Sequence, residues 1–382
     1  MRDVLAADRA TVFEYDASHD ELFATVAHGT GDREIRIPAH TGLAGAAAQT
    51  RRIVNVPDAH EDPRFNPAVD RATGYRTRSV LAIPLLADDG DLVGVAQVLN
   101  KDEGTFTAAD EQVAAALAAQ AAVALRRQRL IADRLMREKL ERDLELASRI
   151  QQSSLPATLP TLAGFQIAAW SVPAESTGGD VYDVVALPAD AVVLMMADAT
   201  GHGVGPALSV MQARSMLRVA LRLDAELDAI VERMNRQLVD DLPSGRFITA
   251  FFGHLDARTG TLSGFSAGQG PLFVYVAAED RFEEIEVDAP PLGILPDLEV
   301  RFTPPRSLAA GDLLIVASDG IFEAFDASGA MFGVERAHEA IRVARTGDAE
   351  SIAAALREAV RCFGGERPAD DDQTVVIVKR VG

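Results

Sequence analysis

Hydrophobic and polar positions along the chain fall into three textures, and each predicts its own kind of element. From residue 1 to 106, short apolar runs (ATVFEYD, ELFATVAHG, RRIVNVP, SVLAIPLL and DLVGVAQVLN) are separated by Gly, Pro and Asp. Runs of that length between turn residues read as strands of an α/β or α+β domain of sensor size. From 107 to 155 the texture changes: no Gly or Pro occurs between Thr107 and Leu155, and Ala, Leu, Arg and Glu dominate. This predicts one long helix, with Thr107 as N-cap and Asp110 and Glu111 in the first turn. Its apolar positions, Val113, Leu117, Ala121, Ala124, Ile131, Leu135, Leu140, Leu144, Ala147 and Ile150, recur along one narrow face. Such a face suits a coiled-coil seam and a homodimer through this linker helix, the alternative being a single helix packed on its own domains. The prolines of SSLPATLPTLAG end it.

From 156 to 382, strand-like runs (FQIAAWSVP, GDVYDVVAL, AVVLMMAD, ITAFFGHLD, GTLSGFSAG, PLFVYVA, RFEEIEV, LLIVASD and TVVIVKRV) surround helical stretches at 206–240 and near 335–363. Helices bunched together and strands joined by tight turns predict a layered α+β domain with antiparallel sheets. The expected organisation is therefore a sensor domain at 1–106, a helical linker at 107–155 and a second domain at 156–382.

Several of these strands begin or end on acids. Val192 to Met196 is apolar throughout, as in a strand buried on both faces, and the run closes on Asp198 before a loop holding Gly201, His202, Gly203 and Gly205. A buried carboxylate without a partner is costly, and the nearby sequence offers no Lys or Arg before Arg214. Pro206 then opens a helix whose N-terminus favours anions. Asp319 closes LLIVASD in the same way, Asp180 and Asp183 follow Gly178 and Gly179, and Asp370, Asp371 and Asp372 precede a strand. Carboxylates gathered at one sheet edge raise one another's pKa unless cations join them. Oxygen ligands alone select hard ions such as manganese or magnesium, and a pair of them suits phosphate-ester hydrolysis. A calcium-stabilised domain and a set of unrelated turns are the competing readings of the same spacing.

The formal charge of −20, from 57 acids against 37 bases in 382 residues, argues against nucleic acid or an anionic membrane as the main partner. The single cysteine, Cys362, excludes an internal disulfide, fits a reducing compartment and is expected to be a small buried residue. No apolar stretch reaches membrane-spanning length and no leader opens the chain, so a cytoplasmic protein is expected.

Taken together, GGDVYD, MADATGHG, TAFFGHLDARTG, FSAGQGP, VASDGIFEA and DDDQTVVIV resemble the ordered motifs of PPM-type serine/threonine phosphatases, in their bacterial SpoIIE branch, over about residues 148–380. The resemblance implies an αββα sandwich with a two-ion manganese or magnesium site. Its metal ligands would be Asp180, Asp198, the carbonyl of Ala199, Asp319 and Asp371, the last chosen because it lies three positions before Thr374. Asp198 and Asp319 would carry the catalysis. His202 would either assist proton transfer to the leaving serine or only shape its loop. The substrate implied is a phosphorylated protein, an anti-sigma-factor antagonist being the usual kind. The chain departs from the pattern at Ala199–Thr200 and at Gln269, which stands where a Gly-His pair is common.

The N-terminal part, from HTGLAGAAAQT to GVAQVLNKDEGTFTAADE, resembles a GAF domain, nearest to those of cyclic-nucleotide phosphodiesterases. Asn100, Lys101, Phe106, Asp110 and Glu111 match that group's signature, which implies a small ligand; a structural Lys101–Asp110 ion pair is the other reading. The chain begins near the first strand of such a domain, so a short or missing first helix and a piece of a longer protein are expected. GAF control of the phosphatase through the linker is the expected function. A cyclic-nucleotide or small-molecule sensor scaffold with a silent phosphatase domain is the alternative.

Overall fold

The computed structural model describes residues 1–24, 35–223 and 225–381. Contacts divide the chain into two units, Met1–Lys139 and Leu140–Gly382.

The first unit contains β1 (Ala7–Asp16), β2 (Glu21–Ala24), β3 (Ile35–Pro38), α1 (Gly42–Thr50), β4 (Val54–Val56), α2 (Ala68–Thr73), β5 (Val80–Leu86), β6 (Leu92–Lys101) and the start of α3 (Ala108–Ser154). Its six strands form one antiparallel sheet in the order β3-β2-β1-β6-β5-β4. Residues 25–29 of the expected strand ELFATVAHG lie outside the described residues. Along β5, Val80 and Ala82 pack with Leu43 and Ala47 of α1, while Leu81, Ile83 and Leu85 pack with Ala114, Ala118 and Ala122 of α3. A strand covered on both faces has no polar alternation, which is why VLAIPLL reads as one apolar run.

Thr107 caps α3 as its position predicts. Its backbone N–H and hydroxyl both donate to Asp110 Oδ2, at 2.8 and 2.9 Å, and Asp110 N–H donates back to Thr107 Oγ1 at 3.3 Å. The buried seam of this first stretch differs from the expected stripe. Ala114, Ala118 and Ala122 face the sheet, whereas Val113 and Ala124 are exposed. Alanine lets the helix approach the sheet closely, so small residues rather than bulky ones mark the contact. Further along, Leu130, Ile131, Leu135, Met136, Leu140, Leu146 and Ile150 are all exposed.

The second unit adds β7 (Phe165–Val172), β8 (Asp180–Leu187), β9 (Ala191–Ala199), α4 (Val204–Ala220), α5 (Leu227–Asp241), β10 (Ile248–Asp256), β11 (Thr261–Ala267), β12 (Leu272–Val276), β13 (Arg281–Ile285), β14 (Arg306–Ser307), β15 (Leu313–Ala317), α6 (Asp319–Phe322), α7 (Gly333–Ala344), α8 (Ala349–Gly364) and β16 (Gln373–Arg380). Two five-stranded sheets, β14-β11-β10-β9-β8 and β13-β12-β15-β16-β7, form the two central layers. Helices α4 and α5 cover the first through Val210, Leu217, Ile230 and Leu238, and α7 and α8 cover the second through Ile341, Ile352 and Leu356. Leu194, Met196, Phe251, Val274, Leu314 and Val376 fill the space between the sheets. The architecture is thus an α-β-β-α sandwich, the layer order that the sequence motifs imply.

Three local expectations are corrected. The helical stretch near 335–363 is two helices, because Asp348 caps a new one by accepting from Ser351 N–H at 2.8 Å. Helix α4 begins at Val204, which puts Pro206 at its third position, where a missing N–H is still harmless. Cys362 is exposed on α8, with Sγ 3.1 Å from Glu358 Oε1. Among the described residues no helix is long and apolar enough to cross a membrane.

Candidate functional site

Strand alternation places the acids. On β9, Val193, Met195 and Ala197 face the helices, while Val192, Leu194 and Met196 face the opposite sheet. Asp198 continues the second series and so lies at the edge of the inter-sheet layer. On β8, Tyr182 and Val184 face the same layer and Val181 faces the helices. Asp180 therefore shares the face of Asp198, and the two are direct cross-strand partners. In the other sheet, Leu314 and Val316 of β15 and Val376 and Val378 of β16 fill the layer. The series continue to Ser318, just before Asp319, and to Thr374, just after the three consecutive acids.

Those three acids divide their work. Asp370 pairs with Arg367 at 2.8 Å on the surface. Asp372 is buried, and its carboxylate accepts from the backbone N–H groups of Ala174 at 2.8 Å, Gly179 at 2.5 Å and Asp180 at 3.3 Å. Asp371 alone keeps an exposed carboxylate facing the cluster, one oxygen of which accepts from Asp372 N–H at 2.8 Å. Its charge raises the pKa of both Asp198 and Asp319.

Burial, followed by the charges of Asp319, Asp371 and Asp372, pushes the Asp198 carboxyl up to about 7. Burial and then Asp198 raise Asp180 well above the carboxylate range, an effect that the hydroxyls of Thr374 and Ser318 partly oppose. Asp319 is raised by burial, Asp371 and Glu323. Asp180 Oδ2 is buried without a hydrogen-bond partner. An unmatched acceptor among carboxylates that resist ionising together is the condition that hard divalent cations relieve.

The backbone is shaped to the same end. A Cβ on Gly179 would lie 3.0 Å from the carbonyl oxygen of Ala199 and 3.1 Å from Asp198 Oδ1, so a side chain there would crowd both oxygens. Among the described residues, no three His, Cys, Asp or Glu side chains are already closed into a metal cage. Asp180, Asp198, Asp319 and Asp371, with the Ala199 carbonyl, are the oxygens that the fold brings to this edge and that fit such ions.

Other residues near the edge have structural roles. Asp183 is fully buried on the helix-facing side of β8, where Arg218 binds both its oxygens at 2.5 and 2.7 Å and Arg214 Nε lies 3.0 Å away. It fastens α4, the helix that follows the Asp198 loop. Gln269 is buried and bridges the two sheets, accepting from Thr249 Oγ1 at 2.9 Å and donating to Ala317 O at 3.4 Å. His202 is exposed on the loop, its Nδ1 3.1 Å from Glu175 Oε1. Gln151, in the last turn of α3, was not singled out by the sequence. It is buried and bonds both backbone groups of Gly178, donating from Nε2 to the carbonyl at 2.6 Å and accepting the N–H on Oε1 at 3.0 Å.

In the first unit, a cavity of about 190 Å³ is lined by Arg9, Phe13, Phe65, Asp70, Thr77 and Gln97 among others. None of the five signature residues is among the described residues lining it. Asn100, at a φ of 56°, accepts from Arg78 N–H at 2.6 Å and donates to Tyr75 OH and Arg76 O at 2.9 Å. Lys101 pairs with Asp110 at 2.7 Å and donates to Leu5 O at 2.9 Å. Asn55 donates to the carbonyl of Phe106 at 3.0 Å and to Glu111 at 2.8 Å. These bonds tie β6 and β4 to the start of α3.

Comparison with known proteins gives two parts. The family model described as Stage II sporulation protein E (SpoIIE) matches residues 188–381, and that of the GAF domain matches residues 1–125. Among solved structures, the SiaA-PP2C domain of Pseudomonas aeruginosa is similar with a TM-score of 0.55 at 23% identity, over 64% of this chain and 98% of that one. The RsbU and RsbW domains of a Mycobacterium tuberculosis protein are similar with a TM-score of 0.51 at 24% identity, over 59% of this chain and 63% of that one. Both are likenesses of fold. A probable 3',5'-cyclic phosphodiesterase of Caenorhabditis elegans is 37% identical over 136 residues, which are 32% of this chain and 18% of that relative. The chain thus spans less than a fifth of this curated relative.

Proposed function

The chain belongs to the SpoIIE family, a GAF domain preceding a PP2C-type serine/threonine phosphatase domain, and on that premise we propose that it hydrolyses phosphoserine or phosphothreonine on a partner protein in a metal-dependent reaction. The observation that carries this reading is the convergence of Asp180 and Asp198 from one sheet with Asp319 and Asp371 from the other at the edge of the inter-sheet layer, with pKa values raised for the first three. These carboxylates and the Ala199 carbonyl would hold two manganese or magnesium ions. When bound, such ions supply water of lowered pKa and neutralise phosphoryl oxygens. The chain's own part is to orient and dehydrate. Asp372 fixes the Ala174–Asp180 segment, and Gly179 lets the Asp198 and Ala199 oxygens stand together. His202, oriented by Glu175, stands exposed where it could pass a proton to the leaving serine oxygen.

The same reading assigns regulation to the linker. The exposed apolar residues Leu130 to Ile150 of α3 supply the surface for a homodimer, and Gln151 joins the end of that helix to the Gly178–Asp180 segment. A change in helix packing, driven by a small ligand in the GAF cavity, would move that segment and alter metal binding. The substrate class proposed is an anti-sigma-factor antagonist, in the cytoplasm. The test is phosphate release from a phosphoserine peptide with manganese. Activity in the parent that Asp198→Asn and Asp319→Asn both abolish supports the reading. Undiminished activity in either variant contradicts it.

A further inference from the structure

Arg246 reaches the loop that follows Asp198. It lies between α5 and β10, and its Nη1 donates to Thr200 O at 2.8 Å, next to the Ala199 carbonyl. A Cβ on Gly201 would come within 2.9 Å of the same nitrogen. The backbone there is pinned from both sides: Thr200 N–H donates to Phe247 O at 3.1 Å, and Phe247 N–H donates to Thr200 Oγ1 at 3.2 Å. The guanidinium is therefore held at the mouth of the Asp198 loop.

Its charge is not spent on an acid. Arg214 and Arg218 are both committed to Asp183, but Arg246 forms no ion pair with any described residue. The side chain is exposed, and the Thr200 bond uses one of its five N–H donors. Here a backbone carbonyl anchors it, so its remaining N–H groups stay available and their orientation is already set.

We propose that Arg246 is a substrate-binding residue, whose free guanidinium N–H groups donate to non-bridging oxygens of a phosphate monoester at the proposed metal site. The inference rests on the phosphatase reading and names a contact which that reading lacks. Guanidinium matches phosphate geometry with paired, charge-assisted hydrogen bonds, and an ammonium at the same place keeps the charge without the fork.

The experiment uses the full chain loaded with manganese and orthophosphate as probe, with binding measured by calorimetry for the parent, Arg246→Ala and Arg246→Lys, and a manganese titration of each. The parent is expected to bind orthophosphate, Arg246→Ala to bind it about tenfold more weakly, as loss of a charge-assisted hydrogen bond implies, and Arg246→Lys to fall between. Manganese affinity is expected to be equal in all three. Equal orthophosphate binding in parent and Arg246→Ala overturns the proposal, as does a parent that binds none. A fall in manganese affinity that accompanies the loss also overturns it, because Arg246 would then act only by holding the Thr200 loop. A parent that binds orthophosphate through Arg246 but releases none from a phosphoserine peptide contradicts the phosphatase reading and leaves the Arg246 contact standing.

Discussion

Asp180 and Asp198 are direct partners across the β8–β9 pair, two carboxylates on the same face at the buried edge of a sheet. Such a pair works against folding when nothing sits between the charges. Replacing Asp180 with Asn should therefore stabilise the chain by about 1 kcal/mol or more in EDTA at pH 8. The same variant should lose most of the thermal stabilisation that manganese gives the parent. Thermal unfolding of both proteins with EDTA and with manganese checks this; a variant less stable than the parent in EDTA would mean that Asp180 is satisfied without metal.

The Gln151 amide saturates both backbone groups of Gly178 in a buried position. Gln151→Leu leaves a donor and an acceptor unmet, at a cost of about 1–3 kcal/mol. Because Gly178 lies two residues before Asp180, kcat/KM should fall about tenfold or more in a chain that is still folded. Steady-state kinetics beside a urea melt measures both effects. Loss of stability with kinetics unchanged would show that Gln151 only anchors the helix.

Gly179→Ala puts a methyl group 3.0 Å from the Ala199 carbonyl and 3.1 Å from Asp198 Oδ1. One or both oxygens must move, so manganese affinity should weaken by at least about tenfold, since metal sites demand near-native ligand geometry. A manganese titration checks it, with Gly205→Ala as control, because a Cβ there meets nothing within 4 Å.

His338 sits on α7. It stacks on Phe282 at 3.8 Å and meets the edge of Phe273 at 4.4 Å. Burial, aided by Arg342, lowers its pKa to about 4. Between that value and the unfolded value of about 6.5, the folded chain binds fewer protons than the unfolded one. The stability due to the neutral ring is thus complete above about 6.5 and declines as pH falls toward about 4. Urea midpoints at pH 7 and pH 5 should show a larger loss for the parent than for His338→Phe.

The central strands β9 and β15 were legible because their runs are apolar on both faces, and ITAFFGHLD coincides with β10 from end to end. The two-residue β14 carried no period to read. The acids were legible as strand ends, but their grouping depends on register, which a single strand does not encode. The spacing of Asp180 and Asp183 is itself a signal: three apart in a strand, they face opposite ways, one to Asp198 and the other to Arg214 and Arg218. Gln151 looked like any polar residue of a charged helix, because what makes it special is a contact with Gly178, distant in sequence. The expected seam of α3 missed Ala114, Ala118 and Ala122 because alanines occur on every side of this stretch, so the apolar pattern alone does not tell which of them meets the sheet.

The most direct test of the metal centre is the binding of manganese itself, measured by calorimetry on the parent and on Asp198→Asn. The parent is expected to bind two ions, with Asp198→Asn binding at least about a hundredfold more weakly for want of a carboxylate ligand. A folded parent that binds no manganese or magnesium would contradict the assignment of these aspartates as a metal site.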